Sequence, residues 1–363
     1  MKKFYAVVGN PPYNEDSETY NRQPPIYPAF YDEVALISEK NELITPARFL
    51  FDTGLTNKDW NKKMLSDEHL NVEYYEPDSS KVFPGLSTPI KGGVAVVYRD
   101  SNKNFGAIGE FIPDDTLRSI AKKFNKNPET NLPSIMYGGR SDLKFNDIYL
   151  KDYPESVGKR LQAVQKKHPK VTELSPNEEY EIKSSTLEVL ADCGLHEMKP
   201  ESGDYYEILG LCNTQRVYRY IERKYMVPRY PERNNINGYK VFIAESNGSG
   251  AYGEVLSTPL VGAQFTSSTP TFISIGNFNS EDDAEHLLKY IKTKFVRALL
   301  GILKKTQHNP VLTWSYVPLQ DFTSNSNIDW SKSIHEIDIQ LYRIYGFLPN
   351  EIDFIENNVK EMT

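Results

Sequence analysis

Cysteine is nearly absent: Cys193 and Cys212 are the two in a chain of 363 residues. They form no CxxC pair, so neither a disulfide framework nor a zinc site can be built from them, and the expectation is a reduced, cytoplasmic protein without a metal centre. Histidine is scarce too, six in all, without HExxH or triad spacing, which leaves hydrolysis no visible machinery. No apolar run is long enough to span a membrane, and the start, Met1-Lys2-Lys3-Phe4, turns polar too soon for a secretory signal. Repeats and low-complexity tracts are missing as well, so no fibrous or disordered class fits. The net charge of -7 argues against indiscriminate adhesion to nucleic acid but leaves room for a local basic cleft. Aromatic surface is what the chain has in quantity: 24 tyrosines and 17 phenylalanines, enough to fill cores and still supply stacking.

One short motif stands out against this background. Asn10-Pro11-Pro12-Tyr13 follows directly on the apolar run Phe4-Tyr5-Ala6-Val7-Val8-Gly9. The run reads as a buried strand, and two consecutive prolines end it while fixing the backbone of a tight exit loop. One amide and one phenol are thereby held at a strand's carboxyl end, where open α/β sheets bind their ligands. Asn-Pro is also a common turn initiator, so context must decide.

The downstream pattern supplies that context. Residues 26–38 read as a helix, Leu43-Ile44-Thr45 as a second strand closed by Pro46, and Asn57 as the cap of a helix running to Leu65. Residues 71–75 and 93–98 read as two strands of a hairpin joined by a Pro, Gly and Ser-rich loop. Strand, helix, strand, helix, hairpin is a doubly wound α/β pattern that ends antiparallel. Beyond about residue 105 the periodicity weakens, with helices expected at 114–124, 156–167, 177–190, 280–303 and 334–345, and strands at 239–245 and 271–275. Three segments result: 1–105, a helical connecting region 106–204, and a mixed α+β region 205–363.

The Asn10 to Tyr13 tetrapeptide resembles motif IV of the DNA N6-adenine methyltransferases. The stretches Leu43-Ile44-Thr45-Pro46-Ala47-Arg48-Phe49, Val82-Phe83-Pro84 and Lys91-Gly92-Gly93-Val94 are similar to the methylase module of single-chain type II restriction-modification enzymes. The segments 289–295 and 314–322 resemble the close of that family's target-recognition region. The resemblance implies a partial class-I methyltransferase sheet, from its fourth strand to its terminal hairpin, followed by a recognition domain on double-stranded DNA. It further implies that the Asn10 side chain and the Pro11 carbonyl accept hydrogens of an exocyclic amine and localise its lone pair, with Pro12 holding the loop. Tyr13 and Phe83 would sandwich an adenine flipped from the duplex. Phe83 also suits a plug anchoring its own loop.

The family's methyl donor is S-adenosylmethionine, held by a glycine-rich turn upstream of motif IV, and the chain begins nine residues before Asn10. An upstream segment or a protein partner is therefore expected to supply the cofactor-binding half, laid against the strand 4–9. Gly248-Ser249-Gly250-Ala251-Tyr252-Gly253 fits GxGxxG, yet Glu254 to Pro259 is poor material for the helix that such a loop must open. Arg216, Arg219, Arg223, Lys224 and Arg229, interleaved with tyrosines, suit phosphate and base contact, or else a solvated face. Lys289, Lys292, Lys294 and Arg297 form a weaker basic cluster, and Glu181-Ile182-Lys183 is read as a surface pair rather than half of a nuclease signature. The competing functional class is a sequence-specific DNA-binding fragment without activity of its own.

Overall fold

A computed structural model of the chain describes residues 3–14, 24–52, 54–85, 88–166, 168–304 and 306–362. They pack as two compact units, Met1–Asp115 and Thr116–Thr363.

The first unit runs β1 (Phe4–Gly9), α1 (Tyr27–Ile37), β2 (Ser38–Pro46), α2 (Lys58–Ser66), β3 (Leu70–Glu76) and β4 (Val94–Asp100). Its helix and strand boundaries fall within a few residues of those expected from the periodicity. Asn57 caps α2 as its position suggests, its side-chain oxygen accepting from the amides of Asp59 and Trp60 at 2.8 and 3.3 Å. The sheet order is β1-β2-β4-β3, with β1 parallel to β2 and β4 antiparallel to both its neighbours. The core is aromatic on one side. Tyr27 and Tyr31, one helical turn apart on α1, meet Phe49 and Trp60 in a cluster of ring contacts that closes over Leu43, Ala95 and Val97 of the sheet.

One expectation from the sequence fails here. The run Phe4 to Gly9 is apolar enough for burial on both faces, but β1 pairs with β2 alone among the described residues. Phe4, Tyr5 and Val8 are 45, 68 and 74% exposed. A long apolar edge of this kind is an open template for strand pairing, which soluble proteins ordinarily blunt or cover.

The second unit holds α3 (Asp115–Ala121), β5 (Met136–Tyr137), β6 (Leu143–Phe145), α4 (Asp147–Asp152), α5 (Glu155–Gln165), β7 (Tyr205–Cys212), β8 (Gln215–Glu222), β9 (Met226–Pro228), β10 (Tyr239–Ala244), β11 (Leu260–Gly262), β12 (Thr266–Ser268) and β13 (Phe272–Phe278). It closes with α6 (Glu281–Lys292), α7 (Lys294–Leu303), α8 (Ile334–Ile344) and α9 (Pro349–Asn358). Three sheets form, ordered β11-β10-β13-β5, β12-β7-β8 and β6-β9. Residues 116–204 thus contribute strands to sheets shared with the remainder of the chain.

Two segments depart from the periodicity. The long helix expected over 280–303 breaks at Thr293, which is extended and accepts from the amide of Val296 at 3.2 Å, so it starts α7 as its cap. The helix expected over 177–190 is reduced to two single turns, Glu178–Tyr180 and Ser184–Thr186. Ser184 Oγ instead accepts from the amide of Leu211 at 2.9 Å and pairs with Thr269 and Thr271, which ties this segment to the β7 edge.

Candidate functional site

Register places the exit loop of β1. Gly9 pairs with Leu43, so β2 runs three residues further than β1 before Pro46 ends it, and Asn10 to Tyr13 lie along that overhang. Pro11 is buried while Asn10 and Pro12 are exposed, leaving the Asn10 amide open to a ligand. The loop is pinned at its far end, where the Ile26 amide donates to the Tyr13 carbonyl oxygen at 3.0 Å and Asn14 bridges Pro25.

Phe83 comes to the same place from the loop between β3 and β4. Its ring centroid lies 6.4 Å from that of Tyr13, inclined by 60°. That loop has its own anchors. Asp78 Oδ1 accepts from the Ser80 amide at 3.1 Å, the Phe83 amide donates to the Ser79 carbonyl oxygen at 2.9 Å, and Ser79 Oγ accepts from the Ile90 amide at 2.8 Å. Its return into β4 requires Gly93, whose φ is +79° and where a Cβ would strike the Glu76 and Pro77 backbone. The Ala47 amide donates to the Gly93 carbonyl oxygen at 3.0 Å, locking the end of β2 to the start of β4.

These loops enclose a cavity of about 350 Å³ at the carboxyl ends of β1 and β2, a size within the range of ligand sites. Tyr13 and Tyr27 line it together with prolines and aliphatics, and Asn14, Arg48, Thr56 and Thr88 are among its polar members. Burial pushes the Tyr13 phenol up to about 12, so it stays protonated and able to donate at neutral pH. Nothing in the sequence singles out Arg48 for a role, although it lies inside the Pro46-Ala47-Arg48-Phe49 stretch, and Leu55-Thr56 reads as an ordinary loop before a cap.

The basic residues expected to meet DNA all have internal contacts. Arg216 lies 5.6 Å from the Phe272 ring centroid, and Arg223 stacks 3.5 Å from that of Phe265 while its Nε donates to the Tyr205 carbonyl oxygen. Arg219 is 8% exposed and pairs with Glu197 at 3.2 Å. Arg229 donates to the Ser141 carbonyl oxygen and faces Glu181 at 3.7 Å, and Lys224 pairs with Glu222 at 2.8 Å. Arg216 and Arg219 sit on β8 at positions of opposite parity, hence on opposite faces of the strand. The segment is thus a strand and a turn rather than one helical stripe.

The weaker basic cluster is also spoken for in large part. Lys289 Nζ donates to the Trp330 and Lys332 carbonyl oxygens, Lys294 pairs with Glu356 at 2.6 Å, and Arg297 is buried. Glu181 meets Arg140 and Lys183 at 3.3 and 3.2 Å, while Ile182 enters the core, so this triplet is an ion-pair node.

The glycine-rich loop after β10 is filled by its own neighbour. Glu254 accepts from the amides of Ser249 and Gly250 at 2.9 and 3.0 Å and pairs with buried Lys304. A Cβ at Gly248 would collide with the same carboxylate. The nest that would cradle the cofactor already holds an anion, and no helix follows it. These residues do not fit S-adenosylmethionine. Among the described residues no group of His, Cys, Asp and Glu side chains could hold a metal ion, and no helix is long and apolar enough to cross a membrane.

No curated protein matches the chain. Residues 1–83, which carry β1, the Asn10 to Tyr13 loop, β2, β3 and Phe83, match the family of the Eco57I restriction-modification methylase, so this part of the chain is similar to the methylases that modify DNA in restriction systems.

Proposed function

We propose that this chain is the target-base half and recognition region of a DNA adenine-N6 methyltransferase. The observation that carries the reading is the strand-exit loop of β1, with an exposed Asn10, a half-buried Tyr13 and Phe83 brought to it from a separate loop. An exocyclic adenine amine is a poor nucleophile because its lone pair is delocalised into the ring. Asn10 Oδ1 and the Pro11 carbonyl oxygen accept its two hydrogens, which favours a tetrahedral nitrogen with a localised pair, an arrangement tighter in the transition state than in the ground state. Tyr13 and Phe83 flank the flipped base. The sheet order β1-β2-β4-β3, with one antiparallel strand between parallel ones, suits the fourth strand to the terminal hairpin of a class-I methyltransferase.

S-adenosylmethionine supplies the methyl group from strands that lie against the open edge of β1, carried by a partner protein or an upstream segment. Support for this comes from the exposed apolar residues Phe4, Tyr5 and Val8, and from the glycine loop at 248–253 being taken by Glu254. Double-stranded DNA is the substrate, chosen by residues of the second unit.

Nucleoside mass spectrometry on DNA from cells carrying the native gene tests the chemistry. N6-methyladenine that disappears with Asn10→Ala is the expected result, and N4-methylcytosine in its place would overturn the adenine assignment. Isothermal titration of the 363-residue chain with S-adenosylmethionine should show weak binding or none. Micromolar affinity would end the divided-cofactor reading. The filled glycine loop also favours a second reading, a DNA-binding fragment without activity, and that reading requires no methylated base in the first experiment.

A further inference from the structure

Tyr13 and Phe83 stand too close together to hold a base between them as they are. Carbon atoms in contact rest about 3.5–4.0 Å apart, so a flat ring laid between two others needs roughly 7–8 Å and parallel planes. The two rings lie 6.4 Å apart and are inclined by 60°. Phe83 thus fills space that an everted base would need. Among the described residues it meets no other aromatic ring, and Pro84 and Gly85 beyond it are exposed, with nothing within 4 Å of a Cβ placed on Gly85. The side chain therefore has room to turn aside.

Its backbone is held. Ser79, 1% exposed, bonds to both limbs of the loop: its carbonyl oxygen accepts from the Val82 and Phe83 amides at 3.2 and 2.9 Å, and its Oγ accepts from the Ile90 amide at 2.8 Å. The path runs on through backbone bonds. The Gly93 amide donates to the Ile90 carbonyl oxygen at 3.1 Å and the Ala47 amide to the Gly93 carbonyl oxygen at 3.0 Å, which reaches the ends of β2 and β4. Ser79 Oγ is the one side-chain atom in that path from Phe83 to the sheet.

Resting on the methyltransferase reading given above, we infer that Ser79 is a positioning residue for the target base. It keeps the Phe83 backbone fixed to the sheet while the Phe83 ring leaves its contact with Tyr13 for a second rotamer and admits the base between them. The ring moves and the serine is its post. One tilted aromatic contact is given up, and stacking on both faces of the base replaces it. A post is needed because Phe83 must meet the base while Asn10 holds its amine, and misplacement by about 1 Å is costly at a reacting centre.

The probe is 2-aminopurine 2′-deoxyriboside, whose fluorescence falls on stacking, titrated into the full chain alongside NMR of the tyrosine and phenylalanine ring protons. In the free native chain the Tyr13 and Phe83 rings should show a nuclear Overhauser contact that disappears on saturation with the nucleoside. Ser79→Ala should weaken nucleoside binding by roughly two- to tenfold, the scale of one hydrogen bond. Ser79→Thr keeps the hydroxyl and should restore it. The Phe83→Ala background separates positioning from general support of the loop. There, Ser79→Ala should leave nucleoside affinity unchanged, while any fall in thermal midpoint persists. An equal loss of affinity in both backgrounds would overturn the inference, as would a ring contact in the native chain that survives saturation. Binding that Phe83→Ala weakens and Ser79→Ala does not would sink this inference and leave the base clamp standing. Absence of nucleoside binding by the native chain would sink both.

Discussion

Two loops leave strands in this molecule carrying motifs tied to the same chemistry, and they end differently. After β1, Asn10 is exposed and the Tyr13 hydroxyl is buried without a partner among the described residues. After β10, the Ser249 and Gly250 amides are bonded to Glu254, whose charge is matched by Lys304. The second loop fits the better-known pattern and is chemically saturated. The first is shorter as a motif and keeps its hydrogen-bonding capacity open. A motif can bind only with groups that the fold has not already used. The second unit also buries the charged side chains Lys240 and Lys304 against internal carbonyl and carboxylate oxygens.

The largest expected effect lies on the open loop. Asn10→Ala should slow single-turnover methyl transfer in the complete enzyme by about a hundredfold or more, the scale seen when one preorganised polar group is removed from a reaction centre. DNA affinity should hold if Asn10 acts on the flipped base alone, as proposed. A rate near that of the native enzyme would dissolve the contrast between the loops.

The saturated loop should respond in stability instead. Glu254→Gln leaves Lys304, 4% exposed at its side chain, as a buried charge without its counter-ion. Breaking one side of a buried pair costs about 3–5 kcal/mol. The thermal midpoint of the second unit should fall by several degrees. An unchanged midpoint would mean that the glycine loop can release Glu254, and would revive it as a cofactor site.

Lys240 sharpens the same point through pH. It is fully buried, donates to the Thr266 and Ile236 carbonyl oxygens at 2.9 and 3.4 Å, and burial lowers it to about 7 while Asp142 pulls the other way. Between about 7 and the ordinary lysine value, the unfolded chain holds a proton that the native chain has released. Stability therefore rises with pH across that window and is independent of this group below it. Lys240→Met should stabilise the protein by about 2–4 kcal/mol at pH 7, with the gain shrinking toward pH 10. Denaturant melts at the two pH values measure it, and a constant difference would show that the lysine keeps its proton when buried.

Phe83→Ala is a smaller change. Loss of one stacking face should cost the everted base about 1–3 kcal/mol, read from 2-aminopurine fluorescence at the target position. An unaltered signal returns Phe83 to a loop anchor that touches Tyr13 and nothing else.

Much of the first unit is legible in the chain because its signals are local. Asn57 caps where a cap should be, and Pro46 ends β2. The open edge of β1 is legible from the strand order expected of the doubly wound sheet, although the apolar composition of the strand by itself suits burial on both faces. In the second unit, Thr293 splits a helix whose apolar period runs straight through, and Ser184 is drawn out of helix by bonds to residues 27 and more positions away. Alternation along β8 explains why a row of arginines and tyrosines that looks like one surface is divided between two faces.

The smallest expected effect tests that division. Arg219, Arg223 and Arg229 have internal partners at 3.2, 3.5 and 3.7 Å, counting the Phe265 ring for Arg223, so moving them to a phosphate would forfeit native interactions. Lys224 has an exposed pair with Glu222, of a kind worth about 0–1 kcal/mol, and can exchange it for a phosphate at little cost. Removing a single cation from a phosphate should reduce the slope of log K against log salt by about 0.9. Lys224→Ala is therefore expected to flatten the salt dependence of DNA binding by about that amount with an unchanged thermal midpoint. Arg219→Ala should do the reverse, lowering the midpoint because its ion pair with Glu197 is gone while the slope stays put. If Arg219→Ala flattens the slope and Lys224→Ala does not, the buried arginine turns outward to meet DNA, and the second unit, like the first, holds binding capacity in reserve.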